Sequence, residues 1–573
     1  MPAEKMDLNI LIGGAAGQGM ETVIHFLGKA LVREGYQLIS TKDYMSRVRG
    51  GHNFFTLRIA GDAPHAPSKE TDLLVALNEE TYFLHRENLS AQGKVLFDPE
   101  LFSLPESEDR GIGIRMKSLA RQAGNPIMSN TVAVGALLVL LGLKSSTVET
   151  LLTENFADKE GMAAKNIAAL QSGCREAAAF CEACFTLPKK DRDSSKKRLY
   201  IDGNQVLGMA ALASGCQFLS AYPMTPSTGI MTYLAEKALQ FELVVEQAED
   251  EIAAINMALG ASYAGARSMV STSGGGFSLM VEGLSLCGMT ETPLVVVVAM
   301  RPGPATGFPT RTEQGDLSFA IHAGHGEFPR AVLSATTLED AFTRLNKAFE
   351  LADKFQVPVI FLSDQNFADT ARSLEPFDFS SLQYRRYIVT AEELQRPYQR
   401  YRYTENGVSP RALPGQFDGE VVLVDSDEHD EKGNITEDAQ TRRSMMDKRM
   451  HKLKGLAAEM DEPVFYGNPD GDILLMGWGS TFGTLRESVN ILASRGHKAA
   501  LLHFADIWPL PTVEIKRLLP QAKKSFCMEN NATGQFAALL RRETGLEPDH
   551  LILKYDGRPF FPEEIVEEVQ KYV

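Results

Sequence analysis

The sequence predicts an α/β protein built from three doubly wound parallel sheets. Short apolar strands alternate with helical patterns in three separate stretches of the chain, and this alternation is typical of parallel sheets. Turns rich in glycine or proline follow several of the strands, where folds of this class bind their ligands. The length of 573 residues is consistent with several cores, because single cores stop growing well below that size.

Composition and charge narrow the range of functions. Hydrophobic residues make up 44% of the chain and charged residues 23%, which excludes a largely disordered protein. The 58 basic and 74 acidic side chains leave a net charge of −16, which argues against a nucleic-acid surface. The apolar runs Val132–Leu143 and Thr292–Met300 are too short to span a bilayer. The first residues lack a signal-peptide core, so we expect a cytoplasmic enzyme or enzyme subunit without a membrane partner.

Changes in pattern along the chain divide it into five segments. A polar run separates the first two α/β stretches, and a long Pro-rich and charged connection, which ends in a charged helix from Glu437 to about Met460, separates the last two. The expected segments are a first domain at 1–188, a linker at 189–197, a second domain at 198–385, an extended linker at 386–470 and a third domain at 471–573.

Each domain has its own set of predicted strands, identified by short apolar runs between turn signals. In the first domain they are Leu8–Ile12, Tyr36–Ser40, Asp72–Leu77 and Lys94–Phe97. In the second they are Gln217–Ala221, Glu242–Val245, Ser268–Thr272, Pro293–Met300 and Val357–Leu362. In the third they are Asp472–Gly477, Lys498–Phe504 and Lys524–Glu529.

A glycine cluster links the first strand to a helix that ends near Gly35. Its spacing, Gly14-x-x-Gly17-x-Gly19, differs from the dinucleotide-binding pattern G-x-G-x-x-G, and Asp43 comes too late to close the predicted second strand with an acidic residue. Two interpretations stay open: anion binding by bare amides at a helix start, and close packing of strand on helix. Arg47 and Arg49, beside a Gly-Gly turn, suit phosphate binding, with a solvated surface as the alternative.

Three of the six cysteines form the pattern C-x6-C-x2-C at Cys174, Cys181 and Cys184. A zinc site or an iron–sulfur cluster normally uses four ligands, and no fourth cysteine or histidine lies nearby. The stretch Asn166–Phe185 is rich in alanine and is typical of a helix in which small cysteines pack. We therefore predict no metal site and no redox centre in this chain.

A stiff turn follows the first strand of the second domain, with the sequence Tyr222-Pro223-Met224-Thr225-Pro226-Ser227-Thr228. Pro226 suits the first position of a helix, with Thr225 as its cap. At the carboxyl end of a parallel strand, the same turn presents Thr225 to a ligand crevice. Capping and ligand binding both remain possible interpretations.

Three further motifs follow strands of the same domain. An acidic run ending in Glu251 begins a helix with many small residues, which favours either a helix-dipole role or close approach of a flat ligand. Gly274-Gly275-Gly276 is typical of close ligand approach. Arg301 ends a strand and precedes Thr310 and Arg311, where a guanidinium suits a substrate carboxylate or is only exposed on the surface.

Together these motifs resemble the α subunit of 2-oxoacid:ferredoxin oxidoreductases, which are thiamine diphosphate enzymes. The resemblance is carried by Tyr222–Thr228, by the acidic start ending in Glu251, by the triple glycine and by Arg301–Leu317. The Gly14–Gly19 loop with Arg49-Gly50-Gly51 resembles the γ domain of these enzymes, here fused ahead of the α part. Glu529–Phe536 and Asp556–Pro559 resemble their C-terminal domain. The arrangement most resembles the 2-oxoglutarate branch, and it implies a γ domain, a thiamine pyrimidine-binding domain and a transketolase C-terminal-like domain.

The resemblance implies a role for individual residues. Glu251 matches the glutamate that hydrogen-bonds the aminopyrimidine ring, while Thr225 and Arg301 match the residues that hold the 2-oxoacid carboxylate. Met224 replaces a usual isoleucine, and Ala16 replaces a usual glycine in the γ loop. The implied catalytic residues are Glu251, Thr225 and Arg301; the cofactor contacts are Glu251, Tyr222, Pro223, Met224, Gly275 and Phe277; the substrate contacts are Thr225, Arg301, Thr310 and Arg311; and the coenzyme A contacts are Gly17, Gln18, Gly19, Arg47 and Arg49.

Two parts of the family's chemistry are missing from this chain. The only near match to the magnesium–diphosphate motif Gly-Asp-Gly is Asp470-Gly471-Asp472, which precedes a strand, and there is no four-cysteine motif. The resemblance therefore implies that Mg²⁺ and a [4Fe-4S] cluster reside on a separate β subunit, in an (αβ)₂ heterotetramer that reduces ferredoxin.

The implied reaction is oxidative decarboxylation of 2-oxoglutarate with coenzyme A to succinyl-CoA and CO₂, or the reverse carboxylation of a reductive TCA cycle. The first alternative is the same chemistry on 2-oxoisovalerate or pyruvate. The second, from another class, is a nucleotide-binding regulatory protein that uses the Gly14–Gly19 loop.

Overall fold

The computed structural model describes residues 7–46, 51–188 and 197–573, which belong to two compact units. The first unit comprises the chain up to Ile201 together with Thr370–Pro376. The second comprises Asp202–Asp369 and Phe377–Val573.

The strands, in chain order, are short and mostly apolar. They are β1 Asp7–Ala15, β2 Gln37–Asp43, β3 His52–Ala60, β4 Thr71–Ala76, β5 Leu89–Phe97, β6 Gly111–Gly113, β7 Leu199–Asp202, β8 Phe218–Ala221, β9 Val244–Gln247, β10 Ser268–Thr272, β11 Leu294–Met300, β12 Ala331–Ser334, β13 Pro358–Asp364, β14 Ala371–Leu374, β15 Val464–Gly467, β16 Ile473–Trp478, β17 Ala499–Phe504, β18 Asp506–Trp508, β19 Lys524–Glu529 and β20 His550–Leu553.

The helices fill the intervals between the strands. They are α1 Met20–Arg33, α2 Glu79–His85, α3 Met116–Ala123, α4 Ser129–Leu140, α5 Ser145–Asn155, α6 Met162–Ala178, α7 Gly203–Ala213, α8 Thr228–Lys237, α9 Glu251–Tyr263, α10 Gly274–Leu279, α11 Val281–Thr290, α12 Leu317–His322, α13 Leu338–Phe355, α14 Gln365–Asp369, α15 Ala439–Glu459, α16 Phe482–Ser494, α17 Val513–Leu518, α18 Gln535–Thr544 and α19 Pro562–Gln570.

The sheet of the first unit is mixed. Its strand order is β6-β5-β4-β1-β3-β2-β14-β7, with β1 parallel to β4 but antiparallel to β3. The predicted strands of this region are present, but β2 continues to Asp43, so the prediction that no acidic residue closes this strand is wrong. Strand β3 and its antiparallel pairing with β2 were missed. Alternating exposure along β3, with His52, Phe55, Leu57 and Ile59 buried, is typical of a strand that has one face on the core.

Helix α6 ends at Ala178, earlier than the alanine-rich pattern predicts. The segment beyond it turns, with Ala183 at a φ of 53°, a conformation that no right-handed helix contains. Cys181 and Cys184 lie in this turn and form a disulfide, so their predicted packing within a helix is wrong. Cys174 stays within α6, and its Sγ donates to the carbonyl oxygen of Gly135 at 3.3 Å.

Two sheets belong to the second unit, and together with the first sheet they confirm the predicted α/β class. One has the order β18-β12-β13-β11-β10-β8-β9 and is parallel apart from the edge strand β18. The other has the order β15-β17-β16-β19-β20 and is parallel apart from β15. A continuous apolar core joins the two sheets, since Val296 and Val298 of β11 share it with Trp478, Phe504 and Phe536.

Helix α15 confirms the predicted charged helix and is fixed by a buried ion cluster. The Glu291 carboxylate receives Lys448 Nζ at 2.6 Å on one oxygen and Lys452 Nζ at 2.5 Å on the other, and all three side chains are buried. Such a cluster costs desolvation but specifies where the helix lies. Along the described ranges 7–46, 51–188 and 197–573, no helix has the length and apolarity needed to cross a membrane.

Candidate functional site

Four neighbouring strands of the second unit each lead into one of the predicted motifs. They lie in the order β11-β10-β8-β9, and they are parallel to one another. Arg301 follows β11, Gly274–Gly276 follows β10, Thr225 follows β8, and Glu251 follows β9. The sheet therefore brings all four motifs to one edge, where open α/β sheets bind ligands.

Glu251 is the first residue of α9, and a neighbouring residue caps that helix. The Asp250 side chain accepts the N–H of Ala253 at 2.7 Å, which is the capping bond expected at this position. Glu251 is only 3% exposed, and its Oε1 is buried without a hydrogen-bond partner in the described part of the chain. A charge placed only for the helix dipole would remain solvated, so this burial favours a ligand role.

The triple glycine begins α10 and lies against Glu251. A side chain at Gly276 would start 2.7 Å from Glu251 Oε1 and 2.2 Å from Thr272 Oγ1, so only glycine fits there. At Gly275 the nearest atom within reach is the carbonyl oxygen of Ala305, at 3.8 Å. Gly275 therefore has the room that a ligand would need for close approach.

The structure brings Thr225 and Arg301 together. Arg301 Nη1 donates to the carbonyl oxygen of Thr225 at 2.7 Å. The predicted capping role of Thr225 is wrong, because Met224–Ser227 forms a separate turn, closed by the Ser227 N–H to Met224 oxygen bond at 2.9 Å, and α8 begins only at Thr228.

Asp316, which the sequence does not single out, lies against Gly274 of the triple glycine. Burial raises the pKa of its carboxyl to about 6, and the positive charge of Arg301 opposes that shift. Burial also lowers the pKa of the Arg301 guanidinium, with Asp316 acting in the opposite direction. Asp316 directly precedes a helix, so the sequence signal is that of an ordinary helix cap.

The other predicted contacts occupy different environments. Tyr222 is 40% exposed, and the side chain of Phe277 is fully buried with its ring edge-on to Phe319. Thr310 is buried, and the Cβ of Arg311 lies against Gly557. Pro223 and Met224 are half-buried.

The glycine loop of the first unit lines a cavity of about 210 Å³. Gly17 and Gln18 form one wall, and Asp98, Lys117 and Asn130 contribute to the others. A side chain at Gly17 would meet no atom within 4 Å, so the loop opens into free space. Gly19 has a φ of 77° and immediately precedes α1.

Arg47 and Arg49 lie outside the described residues, as does most of the predicted linker at 189–197.

The site fits the pyrimidine half of thiamine diphosphate better than its diphosphate half. Glu251 Oε1 is a buried acceptor that has no donor among the described residues, and Gly275 has free space beside it. These two features suit a flat ring that carries N–H groups. Within the ranges that the structure describes, no cluster of acidic, histidine or cysteine side chains could hold a metal ion. Asp472 of the near-match motif forms an ion pair with Lys523 at 3.0 Å.

Two protein-family models match the chain. Residues 209–448 match "Pyruvate flavodoxin/ferredoxin oxidoreductase, thiamine diP-bdg". Residues 9–176 match "Pyruvate ferredoxin/flavodoxin oxidoreductase". All four strand-end motifs lie within the first match, and the cavity residues lie within the second.

Individual proteins are similar over nearly the whole chain. The 2-oxoacid:ferredoxin oxidoreductase subunit alpha of Saccharolobus solfataricus is 31% identical, over 99% of this chain and 98% of that protein. The 2-oxoglutarate oxidoreductase subunit KorA of Mycobacterium tuberculosis is 29% identical, over 97% and 90%. The solved 2-oxoglutarate:ferredoxin oxidoreductase from Magnetococcus marinus, with 2-oxoglutarate, coenzyme A and succinyl-CoA bound, is 31% identical with a TM-score of 0.92, covering 99% of this chain and all of that one.

Proposed function

The chain belongs to the family of 2-oxoacid:ferredoxin oxidoreductase α subunits, and from that premise we propose that it is the γα-fused α subunit of a 2-oxoglutarate:ferredoxin oxidoreductase. The reaction would convert 2-oxoglutarate and coenzyme A to succinyl-CoA and CO₂ with reduction of ferredoxin, or run in reverse. The observation that carries the choice of substrate is the likeness, at a TM-score of 0.92, to a structure that holds 2-oxoglutarate, coenzyme A and succinyl-CoA.

Glu251 is the proposed proton-transfer group for the cofactor. Thiamine diphosphate, when bound, supplies the carbon nucleophile that this reaction class requires. The buried Glu251 carboxyl would hydrogen-bond the pyrimidine ring and move a proton there, and Gly275 would let the ring approach. Exclusion of water from Glu251, which is 3% exposed, strengthens that bond.

Arg301 and Thr225 are the proposed carboxylate contacts. The guanidinium is held through Nη1 by the Thr225 carbonyl, while its buried Nε lacks a partner in the described ranges. A carboxylate placed there would supply an acceptor for it. Thr310 and Arg311 are proposed as further substrate contacts, with Arg311 a candidate for the distal carboxylate of 2-oxoglutarate.

Coenzyme A is proposed to bind the first unit, at the cavity beside Gly17, Gln18 and Gly19. Lys117 contributes a cation to the cavity wall, and the open space at Gly17 gives access to the loop. Lys117→Gln should raise the KM for coenzyme A several-fold and leave the KM for the 2-oxoacid unchanged. An unchanged KM for coenzyme A would count against this location.

The partner is proposed to be a β subunit carrying Mg²⁺ and a [4Fe-4S] cluster, in an (αβ)₂ assembly that passes electrons to ferredoxin. Large apolar side chains near the site are exposed, among them Ile252 at 51%, Met257 at 42% and Leu279 at 50%. Exposed apolar groups of this size suit a protein interface. Purification of the tagged chain from its own cells should yield a second subunit, iron and acid-labile sulfide.

The domain limits are likewise proposals: a γ domain at 1–188, a pyrimidine-binding domain at 198–385 and a transketolase C-terminal-like domain at 471–573. The linkers at 189–197 and 386–470 complete the division. Limited proteolysis should cut first within the polar linker at 189–197, because α15 in the second linker is fixed by the ion cluster around Glu291.

Initial rates with several 2-oxoacids test the proposed function. The assembled enzyme, supplied with coenzyme A and ferredoxin or a viologen dye, should show its highest kcat/KM with 2-oxoglutarate. A higher kcat/KM with pyruvate or 2-oxoisovalerate would show that the proposed substrate is wrong and that the proposed reaction class is right. Tight nucleotide binding without any thiamine-dependent reduction would instead favour a regulatory protein.

A further inference from the structure

Asp316 occupies a helix-capping position without capping the helix. Its backbone carbonyl accepts the N–H of Ala320 at 2.8 Å, as at the start of an ordinary helix. Its side chain, however, makes no capping bond. The Oε1 of Gln535 accepts the N–H of Ser318 instead, at 2.8 Å. Because Gln535 has taken over one capping bond, the Asp316 carboxylate is available for another role.

That carboxylate is directed at the proposed ligand site. A side chain at Gly274 would begin 2.3 Å from Asp316 Oδ2, so the oxygen lies directly against the triple glycine. Oδ2 is buried and, among the residues that the structure describes, has no hydrogen-bond partner. Glu251 lies against Gly276 of the same run. Two carboxyl groups with unsatisfied oxygens therefore flank the three glycines.

The charged side chains near Asp316 show which residue it interacts with electrostatically. Arg301, at the end of β11, interacts electrostatically with it, while Glu313 of its own loop repels it. Gln535 from α18 and the glycines of α10 contribute no charge. Arg301 thus carries the positive charge in this set and would bind the substrate carboxylate in the proposed function, on which this inference rests.

We propose that Asp316 is a positioning residue that sets the affinity of Arg301 for the carboxylate of the 2-oxoacid. When no substrate is bound, the positive charge of Arg301 favours the ionised form of Asp316. A substrate carboxylate arriving at Arg301 brings a second negative charge to the buried site, and Asp316 takes up a proton from solvent. Substrate binding is therefore coupled to uptake of one proton, and no bond of the substrate changes in this step.

The direction of the pH dependence follows from this coupling. Burial raises the pKa of Asp316 to about 6. Above that pH most Asp316 side chains are ionised, and the free energy needed to protonate them weakens substrate binding. The KM for the 2-oxoacid should rise with pH above about 6, by up to about tenfold per pH unit, because each unit changes the protonated fraction tenfold. The kcat should depend on this group much less.

Substitution separates this role from a structural one. Asp316→Asn mimics the protonated carboxyl, so its KM should be low and nearly constant from about pH 6 to about pH 8, with kcat within a few-fold of the parent. Glu327→Gln, at an exposed acidic residue beyond α12, is the matched control, and it should retain the slope of the parent. A KM that rises with pH equally in Asp316→Asn and in the parent would overturn the proposal.

Calorimetry provides a readout that needs no variant. Binding of 2-oxoglutarate to the assembled enzyme, with thiamine diphosphate removed so that no CO₂ is lost, is measured at about pH 7 in two buffers of different ionisation enthalpy. The apparent enthalpy should differ between the buffers by the amount for close to one proton taken up. No difference would overturn the proposal even if Asp316→Asn failed to fold. If the parent reduces no acceptor with any 2-oxoacid, the proposed function itself has failed; an active parent without proton uptake refutes this inference alone.

Discussion

Arg301 Nη1 donates to the carbonyl oxygen of Thr225 at 2.7 Å, and this bond crosses the end of a strand. Arg301 follows β11 and Thr225 follows β8, while β10 lies between them in the sheet. The bond therefore joins the loops that follow two strands on either side of β10. The Thr225 carbonyl holds the Arg301 guanidinium in one orientation before any ligand binds. Less conformational entropy is therefore lost when the guanidinium binds a carboxylate.

Arg301→Lys should weaken substrate binding without unfolding the protein. Lysine keeps the charge but lacks the planar fork that reaches both the Thr225 carbonyl and a carboxylate. We expect kcat/KM for the 2-oxoacid to fall by about 10- to 100-fold, as for loss of a charged hydrogen bond of about 1.5–3 kcal/mol. Arg541→Lys, at a side chain that is 70% exposed, is the control and should retain full activity. Equal kcat/KM values in both variants would contradict the proposal that Arg301 binds the substrate carboxylate.

Gly276→Ala should lower the stability of the fold, whereas Gly275→Ala should weaken cofactor binding. The new Cβ at Gly276 would clash with Thr272 Oγ1 and Glu251 Oε1, so the melting temperature should fall. The new Cβ at Gly275 has room in the protein, so the fold should keep its stability while thiamine diphosphate binds more weakly. Thermal melting and cofactor titration of both variants check this. Normal cofactor affinity of Gly275→Ala would show that the open face is not the cofactor site.

The stability of the first unit should fall in weak acid because of a buried histidine pair. His52 Nε2 and His85 Nε2 lie 2.8 Å apart, and burial together with the His52 charge lowers the pKa of His85 to about 4. The unfolded chain, with an ordinary histidine pKa of about 6.5, therefore binds more protons between these values. The contribution of His85 to the free energy of unfolding should decrease as the pH falls from about 6.5 towards 4, by at most about 1.4 kcal/mol per unit.

Urea unfolding as a function of pH measures this effect. His85→Gln should reduce the loss of stability in acid, whereas His451→Gln, at an exposed position, should leave the pH dependence unchanged. A pH dependence that is the same in both variants would contradict the assignment to His85.

The sequence predicts the strand ends well, because buried parallel strands are continuous apolar runs followed by distinctive turns. Gly274–Gly276, Glu251 and Arg301 lie at one edge as expected. Strand β3 was missed, although the Gly-Gly turn signal directly precedes it in the sequence, because the polar residues Asn53, Thr56 and Arg58 interrupt its apolar run. Asp316 was missed because its role depends on Gln535, 219 residues away in the sequence, which takes over a capping bond. The Cys181–Cys184 disulfide depends on where α6 ends, and composition does not determine that point.

The most direct test of the account is the turnover of Glu251→Gln in the assembled enzyme with saturating thiamine diphosphate. The amide is nearly isosteric but cannot transfer the proton, so turnover should fall by about 10²- to 10⁴-fold while the melting temperature stays unchanged. Glu249→Gln, at an exposed acidic residue two positions earlier, is the matched control and should be fully active. Turnover of Glu251→Gln within about threefold of the parent, far below that catalytic range, would contradict the assignment of this carboxyl to the cofactor.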